Sequence, residues 1–420
     1  IDIALHAIQA AQHSHAFIGV TQDGTIARVS SKGNSNAHLI IRGGSNGPNY
    51  SSVQMEEHLE KINQSSIKSR ILISGGGTGG HIYPAISIAE KLTEANKNFE
   101  ILFVGARNKM EMRIIPKYGY KILGLWISGL NRNLLNLKSI INNVLLPFKL
   151  LISIFQSILI ILKFKPNIVI GTGGYASAPV LFSANLLQIK TVIQEQNSYP
   201  GITNKILSSK ASKVFVAYEN MDKFFPKQKI IFSGNPVRTN IHSKKDGFEK
   251  ALKYFGLNSN CKTLFVIGGS LGSKEINKSI FSILDYLDFL NLQVIWQCGK
   301  IYYDDYKSKV NNVNIKLFDF IHNIDLAYQA ADFIISRSGA SVISELSIVG
   351  KPVIFIPSPN VAENHQLKNA QAITEKQAAI LIQEKDLKTS LKKQINNLNS
   401  SSDLRNKLSK NIKKLAKVNA

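Results

Sequence analysis

The chain has 420 residues, 51 Lys and Arg against 28 Asp and Glu, a formal charge of +23 and 44% hydrophobic residues. That composition excludes a disordered chain and a small stapled domain, and at roughly 100–200 residues per domain the length predicts two or three folded units. Cys261 and Cys298 form no CxxC pair and no early secretory core is present, so neither a disulfide framework nor a zinc site is expected, and the cytosol is the expected address.

So high a charge fits an anionic partner: nucleic acid, an acidic lipid surface or a phosphorylated substrate. Aromatic residues make up only 8% of the chain and do not interleave with the basic ones, which speaks against nucleic acid. The plainer alternative is that part of the charge only keeps the chain soluble.

In chain order, residues 1–69 carry a hairpin-like run from His15 to Ser31 with an Asp23-Gly24 turn and no phosphate loop. From Arg70 onward, short β-branched runs at 71–74, 101–105, 167–171, 191–195, 263–269, 292–296, 332–336 and 352–357 alternate with helical stretches. Near-continuous apolar strands separated by helices predict parallel sheets covered on both faces. Two such series flank a charged stretch at His242–Lys250 that follows the turn Gly234-Asn235-Pro236. Two doubly wound domains are expected, 70–236 and 237–420.

Within the first series, Leu150–Leu162 is an apolar run of thirteen residues between Lys149 and Lys163, too short for a bilayer span of about 20. Lys149, Ser153, Gln156 and Ser157 recur at helical spacing and leave an apolar face of Leu150, Leu151, Ile154, Phe155, Ile158, Leu159, Ile161 and Leu162. Two readings stay open. The helix is buried in its domain, or Leu151, Ile154, Phe155 and Ile158 dip into a membrane interface with Lys149 and Lys163 at the rim. From Glu384 to Ala420, leucines and isoleucines at intervals of three, four or six predict one or two amphipathic helices.

The strongest chemical signal is a strand, then Gly75-Gly76-Gly77-Thr78-Gly79-Gly80-His81, then a helix. Glycines let backbone amides approach an anion, and the helix N-terminus adds its positive dipole end. No Gly-Lys-Ser/Thr follows, and the run is not a clean GxGxxG with its acidic residue about 20 positions on, so neither a Walker loop nor a dehydrogenase fingerprint is expected. Gly171-Thr172-Gly173-Gly174-Tyr175 and Gly268-Gly269-Ser270-Leu271-Gly272 repeat the strand-to-glycine design. Loops at strand carboxyl ends in two domains would face one cleft and suit a pyrophosphate. No DxD pair occurs, so helix dipoles and amides rather than a Mg²⁺ clamp are expected to meet the charge.

These loops, with EQNSYPGITNK (195–205), GNPVR (234–238), SRSGASVISE (336–345) and AENHQLKNA (362–370), resemble the MurG-type N-acetylglucosaminyltransferases from about Arg70 to the end. The resemblance implies an α/β fold of the GT-B class, two Rossmann-like domains facing a cleft, in a cytoplasmic enzyme peripheral to the inner membrane. It implies transfer of GlcNAc from UDP-GlcNAc to the C4 hydroxyl of lipid I, giving lipid II for peptidoglycan, with no cofactor. Donor contacts are implied for Thr78, Gly79, Gly80, Asn197, Arg238, Ser270, Ile321 and Gln366, and for the run Ala340, Ser341, Val342, Ile343, Ser344 and Glu345. In that scheme Ile321 offers backbone contacts to uracil, Glu345 pairs with ribose hydroxyls, and Asn197 and Gln366 read the sugar. Gly76, Gly77, Gly173, Gly174 and Tyr175 are placed near the acceptor pyrophosphate.

An imidazole near neutral pKa suits a base, so His81 is the first candidate, with helix capping and phosphate binding as the alternative role. Glu195 is the rival base, or else the carboxylate that orients the Asn197 loop. Arg337 fits a substrate cation or a structural partner equally. Ser341 departs from the Leu or Met common in the family, and Glu363 from its Asp. Other readings kept open are a different UDP-sugar transferase and an inactive membrane-binding module. Residues 15–62 resemble an internal piece of a type I 3-deoxy-7-phosphoheptulonate synthase, including Arg42-Gly43-Gly44. One or two strands cannot close a (β/α)8 barrel, so residues 1–69 are expected to be a non-functional barrel fragment, with His38 and Arg42 as relics.

Overall fold

The computed structural model describes residues 69–130, 137–237, 247–361 and 364–417, together with three short strands of the head. Those strands, β1 (Ile18–Val20), β2 (Ile26–Val29) and β3 (Leu39–Ile40), form an antiparallel sheet. The hairpin reading matches the β1–β2 pairing. The barrel-fragment expectation gains no support here, since (β/α)8 strands are parallel. Asp23-Gly24, His38 and Arg42-Gly43-Gly44 lie outside the described residues.

Thirteen further strands make two wholly parallel sheets. The first contains β4 (Arg70–Gly75), β5 (Glu100–Ala106), β6 (Lys121–Leu125), β7 (Ile168–Gly173), β8 (Lys190–Glu195), β9 (Lys213–Val216) and β10 (Ile230–Phe232), in the order β10-β9-β8-β7-β4-β5-β6. The second contains β11 (Lys262–Ile267), β12 (Leu292–Gln297), β13 (Ile315–Phe318), β14 (Phe333–Ser336), β15 (Val353–Phe355) and β16 (Ile380–Leu381), in the order β13-β12-β11-β14-β15-β16. In each sheet the chain winds outward from the first strand and then returns to its other side. The reversals fall between β4 and β7 and between β11 and β14.

Alternate strand residues feed separate cores on the two faces of each sheet. Leu72, Val104, Val169 and Ile193 share one core of the first sheet, while Ile71, Phe103, Ile170 and Val192 share the other. All eight expected strands are present. The five that were not expected, β6, β9, β10, β13 and β16, lie towards the sheet edges and have two to five residues each.

The helices that bear on the site are α1 (Gly79–Ala95), α2 (Leu146–Phe164), α3 (Ser177–Leu186), α4 (Ile202–Leu207), α5 (Lys274–Phe281), α6 (Ala340–Val349), α7 (His365–Thr374), α8 (Leu387–Ser400) and α9 (Ser402–Lys413). Helix α2 has Pro147 in its first turn, where its fixed φ is suited, and stops at Lys165, left-handed at φ 53°, just before Pro166. Its 19 residues are long and apolar enough to cross a bilayer by length and composition alone.

Packing inverts the usual polarity of α2. The buried stripe is Lys149, Ser153, Ser157 and Ile161, packed towards α3, where Ser183 Oγ donates to the Ile154 carbonyl. Phe148, Leu151 and Phe155 face outward and are each more than 60% exposed, with Leu159 and Leu162 beside them and Ile154 and Ile158 half-buried. The buried-helix reading is thus corrected. Lys149 is corrected too: it turns inward, 7% exposed, and donates to Ser128 Oγ at 3.2 Å and Asn142 Oδ1 at 3.0 Å. A buried ammonium needs such acceptors, so it cannot serve as a rim charge. Lys163 is exposed at the other end.

Candidate active site

Ligands of doubly wound sheets bind outside the strand carboxyl ends, at the point where strand order reverses. Every glycine loop singled out in the sequence lies at such a point: 75–80 after β4, 171–175 after β7 and 268–272 after β11. The donor run 340–345 follows β14. Helices α1 and α6 pack against each other across the cleft.

The first two loops interlock. A Cβ on Gly174, at φ 84°, would stand 2.3 Å from the Gly76 carbonyl oxygen, and one on Gly77, at φ 87°, would stand 2.7 Å from the Tyr175 ring. No side chain beyond hydrogen fits at either position. Beneath them lies Glu111, fully buried, which accepts from Gly77 N at 3.2 Å and from Ala106 N at 3.0 Å. The sequence reading missed Glu111, because a lone Glu in NKMEM has no spacing signal. It also corrects Gly77, whose N–H is already committed and is not a donor for pyrophosphate. Burial, with the Glu111 charge nearby, pushes the Tyr175 hydroxyl up to about 12, so it stays a neutral phenol.

His81 is held at this junction. Its Nδ1 lies 2.9 Å from the Thr172 carbonyl, while Thr172 Oγ1 donates back to the His81 carbonyl at 2.8 Å. A carbonyl can only accept, so Nδ1 carries the proton and Nε2 of the neutral ring keeps its lone pair. Burial holds the imidazole below the ordinary histidine value, against the opposing pull of the Thr172 carbonyl, and the nearby His365 lowers it further. Capping is not its role: the residue at the α1 N-cap is Thr78, which is exposed and makes no side-chain cap bond. The first-turn amides of Gly79 and Gly80 have no intrahelical acceptor, which leaves two N–H donors at the start of α1.

Glu195 answers to the loop-holding alternative. It is 1% exposed; Oε1 accepts from Asn197 N and Nδ2, and Oε2 from Gly201 N and from Asn204 Nδ2 at 2.8 Å. Burial raises its pKa while those four donors oppose the rise. With both oxygens engaged inside the loop, Glu195 is not placed as a base. Asn197 is engaged at both ends as well, since its Oδ1 accepts from Asn369 Nδ2 at 3.1 Å. Asn369 Oδ1 also accepts from Ser198 N and Oγ, so this amide stitches the two domains together.

On the second domain, Ser270 is exposed on a loop turned by Gly269 and Gly272, both at positive φ. Arg337 closes the loop's far end by donating to Ser273 Oγ at 2.5 Å, to the Ile356 carbonyl and to Glu384. That geometry makes it a structural partner. Ile321 N donates to Gln297 Oε1 at 2.8 Å, so a base contact from Ile321 would run through its carbonyl. Ser358 N holds Gln366 Oε1 at 2.9 Å, leaving Nε2 as the donating end. In α6, Ala340, Ile343 and Glu345 are buried, Val342 is half-buried, and the Ser341 hydroxyl is buried without a hydrogen-bond partner. Gly339 starts α6 without a side-chain cap, so its first amides also lack an intrahelical acceptor. Arg238 lies outside the described residues.

Residues 71–216 match the glycosyltransferase family 28 N-terminal domain, and residues 263–420 match the family 28 C-terminal domain. The UDP-N-acetylglucosamine–N-acetylmuramyl-(pentapeptide) pyrophosphoryl-undecaprenol N-acetylglucosamine transferase of Flavobacterium psychrophilum is 54% identical over 323 residues, covering 77% of this chain and 87% of the relative. The chain belongs to this glycosyltransferase family. The transferase of the same description from Christiangramia forsetii is 50% identical over 323 residues, with the same shares covered. A crystal structure of Acinetobacter baumannii MurG matches at 26% identity and a TM-score of 0.66, over 83% of this chain and 95% of that one. The two parallel-sheet domains of this glycosyltransferase therefore form the GT-B arrangement, and residues 1–70 fall outside both family matches.

Proposed function

We infer that this glycosyltransferase moves N-acetylglucosamine from UDP-GlcNAc to the C4 hydroxyl of the N-acetylmuramyl residue of lipid I, with inversion, giving lipid II. The activity named for its relatives supports the substrates, and the His81 geometry carries the mechanism. Nε2 accepts the C4 hydroxyl proton as that oxygen forms a bond to the anomeric carbon. The bond from that carbon to the UDP diphosphate breaks on the opposite face. The growing charge on the leaving oxygen meets the amides of the Gly268–Gly272 loop, Ser270 and the start of α6. Glu345, Gln366 Nε2, the Ile321 carbonyl and Arg238 hold the nucleotide and sugar. Thr78, Gly79 and Gly80 contact the donor close to the acceptor pyrophosphate, which Gly76, Gly173, Gly174 and Tyr175 face.

The acceptor's lipid places the reaction at the cytoplasmic face of the inner membrane. The outward face of α2 is the part that enters the lipid interface, with Lys163 and the net charge of +23 drawn to anionic headgroups. Transfer of labelled GlcNAc from UDP-GlcNAc to a lipid I analogue tests the assignment, comparing the whole chain with one that starts at Ser69. Transfer by both confirms the reading and makes the head a passenger. Transfer by the shorter chain alone means the head obstructs the site, and transfer by neither overturns the assignment.

A further inference from the structure

The glycine loops and α6 absorb most motifs, but Asn235 has no task in the preceding reading. It sits where the chain leaves the first sheet, 2% exposed, and its side chain is fully engaged. Oδ1 accepts from Gln194 Nε2 at 3.0 Å, while Nδ2 donates to the Gln196 carbonyl at 3.0 Å and to Ser344 Oγ at 3.1 Å. Gln196 Nε2 in turn donates to the Thr172 carbonyl, the same oxygen that receives the His81 Nδ1–H. Ser344 lies beside Glu345 in α6, and its hydroxyl reaches back to the Ala340 carbonyl in that helix's first turn.

A run of polar contacts, carried across Gln196 from its backbone carbonyl to its side chain, therefore joins His81, Thr172, Gln196, Asn235, Ser344 and Ala340. Asn235 is the member that touches both domains. The other polar stitch nearby, Asn369 to Asn197 and Ser198, touches neither Thr172 nor α6. Any displacement of α6 carries Ser344, and with it the bond to Asn235 Nδ2.

We propose that Asn235 is a positioning residue that sets the His81 imidazole through Gln196 and Thr172 according to where the donor helix α6 stands. The acceptor-side base is thereby brought into working register when the donor diphosphate is bound. This rests on the reading of His81 as base.

The test compares Asn235→Asp, Ser344→Ala and the double variant with the unchanged chain, reading kcat, both KM values, melting temperature and the UDP Kd. Asp is isosteric and still accepts from Gln194, but it loses both donated bonds. Asn235→Asp is expected to lower kcat by about tenfold or more while the UDP Kd stays within about twofold, because chemistry and not donor binding is impaired. Ser344→Ala cuts only the leg to α6, so it is expected to lower kcat by a smaller factor and to add nothing in the Asn235→Asp background, the mark of a shared path.

Retained kcat in Asn235→Asp overturns the proposal. So do two effects that simply multiply, or a kcat that falls only in step with the fraction of chain able to bind UDP. If Asn235→Asp fails to fold, unchanged kcat in Ser344→Ala overturns it alone. A separate His81→Ala variant keeps the two ideas apart: full activity there sinks the base assignment, whereas the kcat split and non-additivity judge Asn235.

Discussion

One hydrogen bond fixes what His81 can do. With Nδ1–H committed to the Thr172 carbonyl, the ring offers a lone pair at Nε2, and burial keeps it neutral at pH 7. His81→Ala should lower kcat by about 10²–10⁴-fold with donor binding retained, as measured by transfer assay and UDP titration. The pH dependence has a definite sign. A histidine held below about 6.5 stays a competent base into mildly acidic solution, so the acidic limb of kcat/KM should fall below that value. The same depression means the unfolded chain takes up the proton first. Stability contributed by neutral His81 is complete above the unfolded pKa and is lost as pH falls through the folded one, which denaturant titrations at several pH values would show. Gly174→Ala, with a Cβ 2.3 Å from the Gly76 carbonyl at φ 84°, should cost about 1–3 kcal/mol from backbone strain alone, read as a lower denaturation midpoint. Residues of this kind differ in how legible they are. Gly174 announces itself because a glycine run after a strand has few other uses. Glu111 and Asn369 do not, since the loop amides they hold lie 34 and 171 positions away in sequence.

Among elements, strands were legible where they are central. Runs such as Ile168–Gly173, buried at every position, read as continuous apolar sequence. An edge strand such as β6 is buried only at Leu125 and exposes Lys121 and Leu123, so KILGL gives little signal. Helix α2 was legible as having two faces, but its direction was not, because sequence periodicity marks an apolar stripe without saying what covers it. Phe155→Glu and Leu151→Glu, both on the outward face, should therefore leave the melting temperature nearly unchanged and abolish most binding to anionic vesicles in a flotation assay. Ser157→Leu, on the packed stripe, should do the reverse: about 1–3 kcal/mol of overpacking, read in the melt, with vesicle binding retained in the folded fraction.

At the scale of the whole molecule, the domains meet through few and specific contacts. The Lys376–Glu219 pair at 2.6 Å is exposed and worth about 0.2–1 kcal/mol, so it does little to hold them. More binding comes from the end of the chain. Helix α9 packs on α6 and α8, Leu415 packs against the second domain's core, and Lys417 crosses to the first domain to lie 4.2 Å from the centroid of the Phe232 ring. A cavity of about 220 Å³ sits under this crossing, lined by Tyr218, Asn235, Ser344 and Lys417 among others. Tyr218 packs against the cores of both domains. A chain ending at Lys413 should lose about 2–3 kcal/mol through the apolar and cation–ring contacts removed, seen as a lower melting temperature and looser interdomain coupling. None of this crossing was visible in the sequence, where the C-terminal leucines read only as amphipathic helix.

The crossing also sets an order on biosynthesis. The first domain's sheet is complete once Phe232 has left the ribosome, yet the ring of that residue gains its cation only from Lys417. Nascent chain must therefore wait, with that ring uncovered, until Lys417 has emerged.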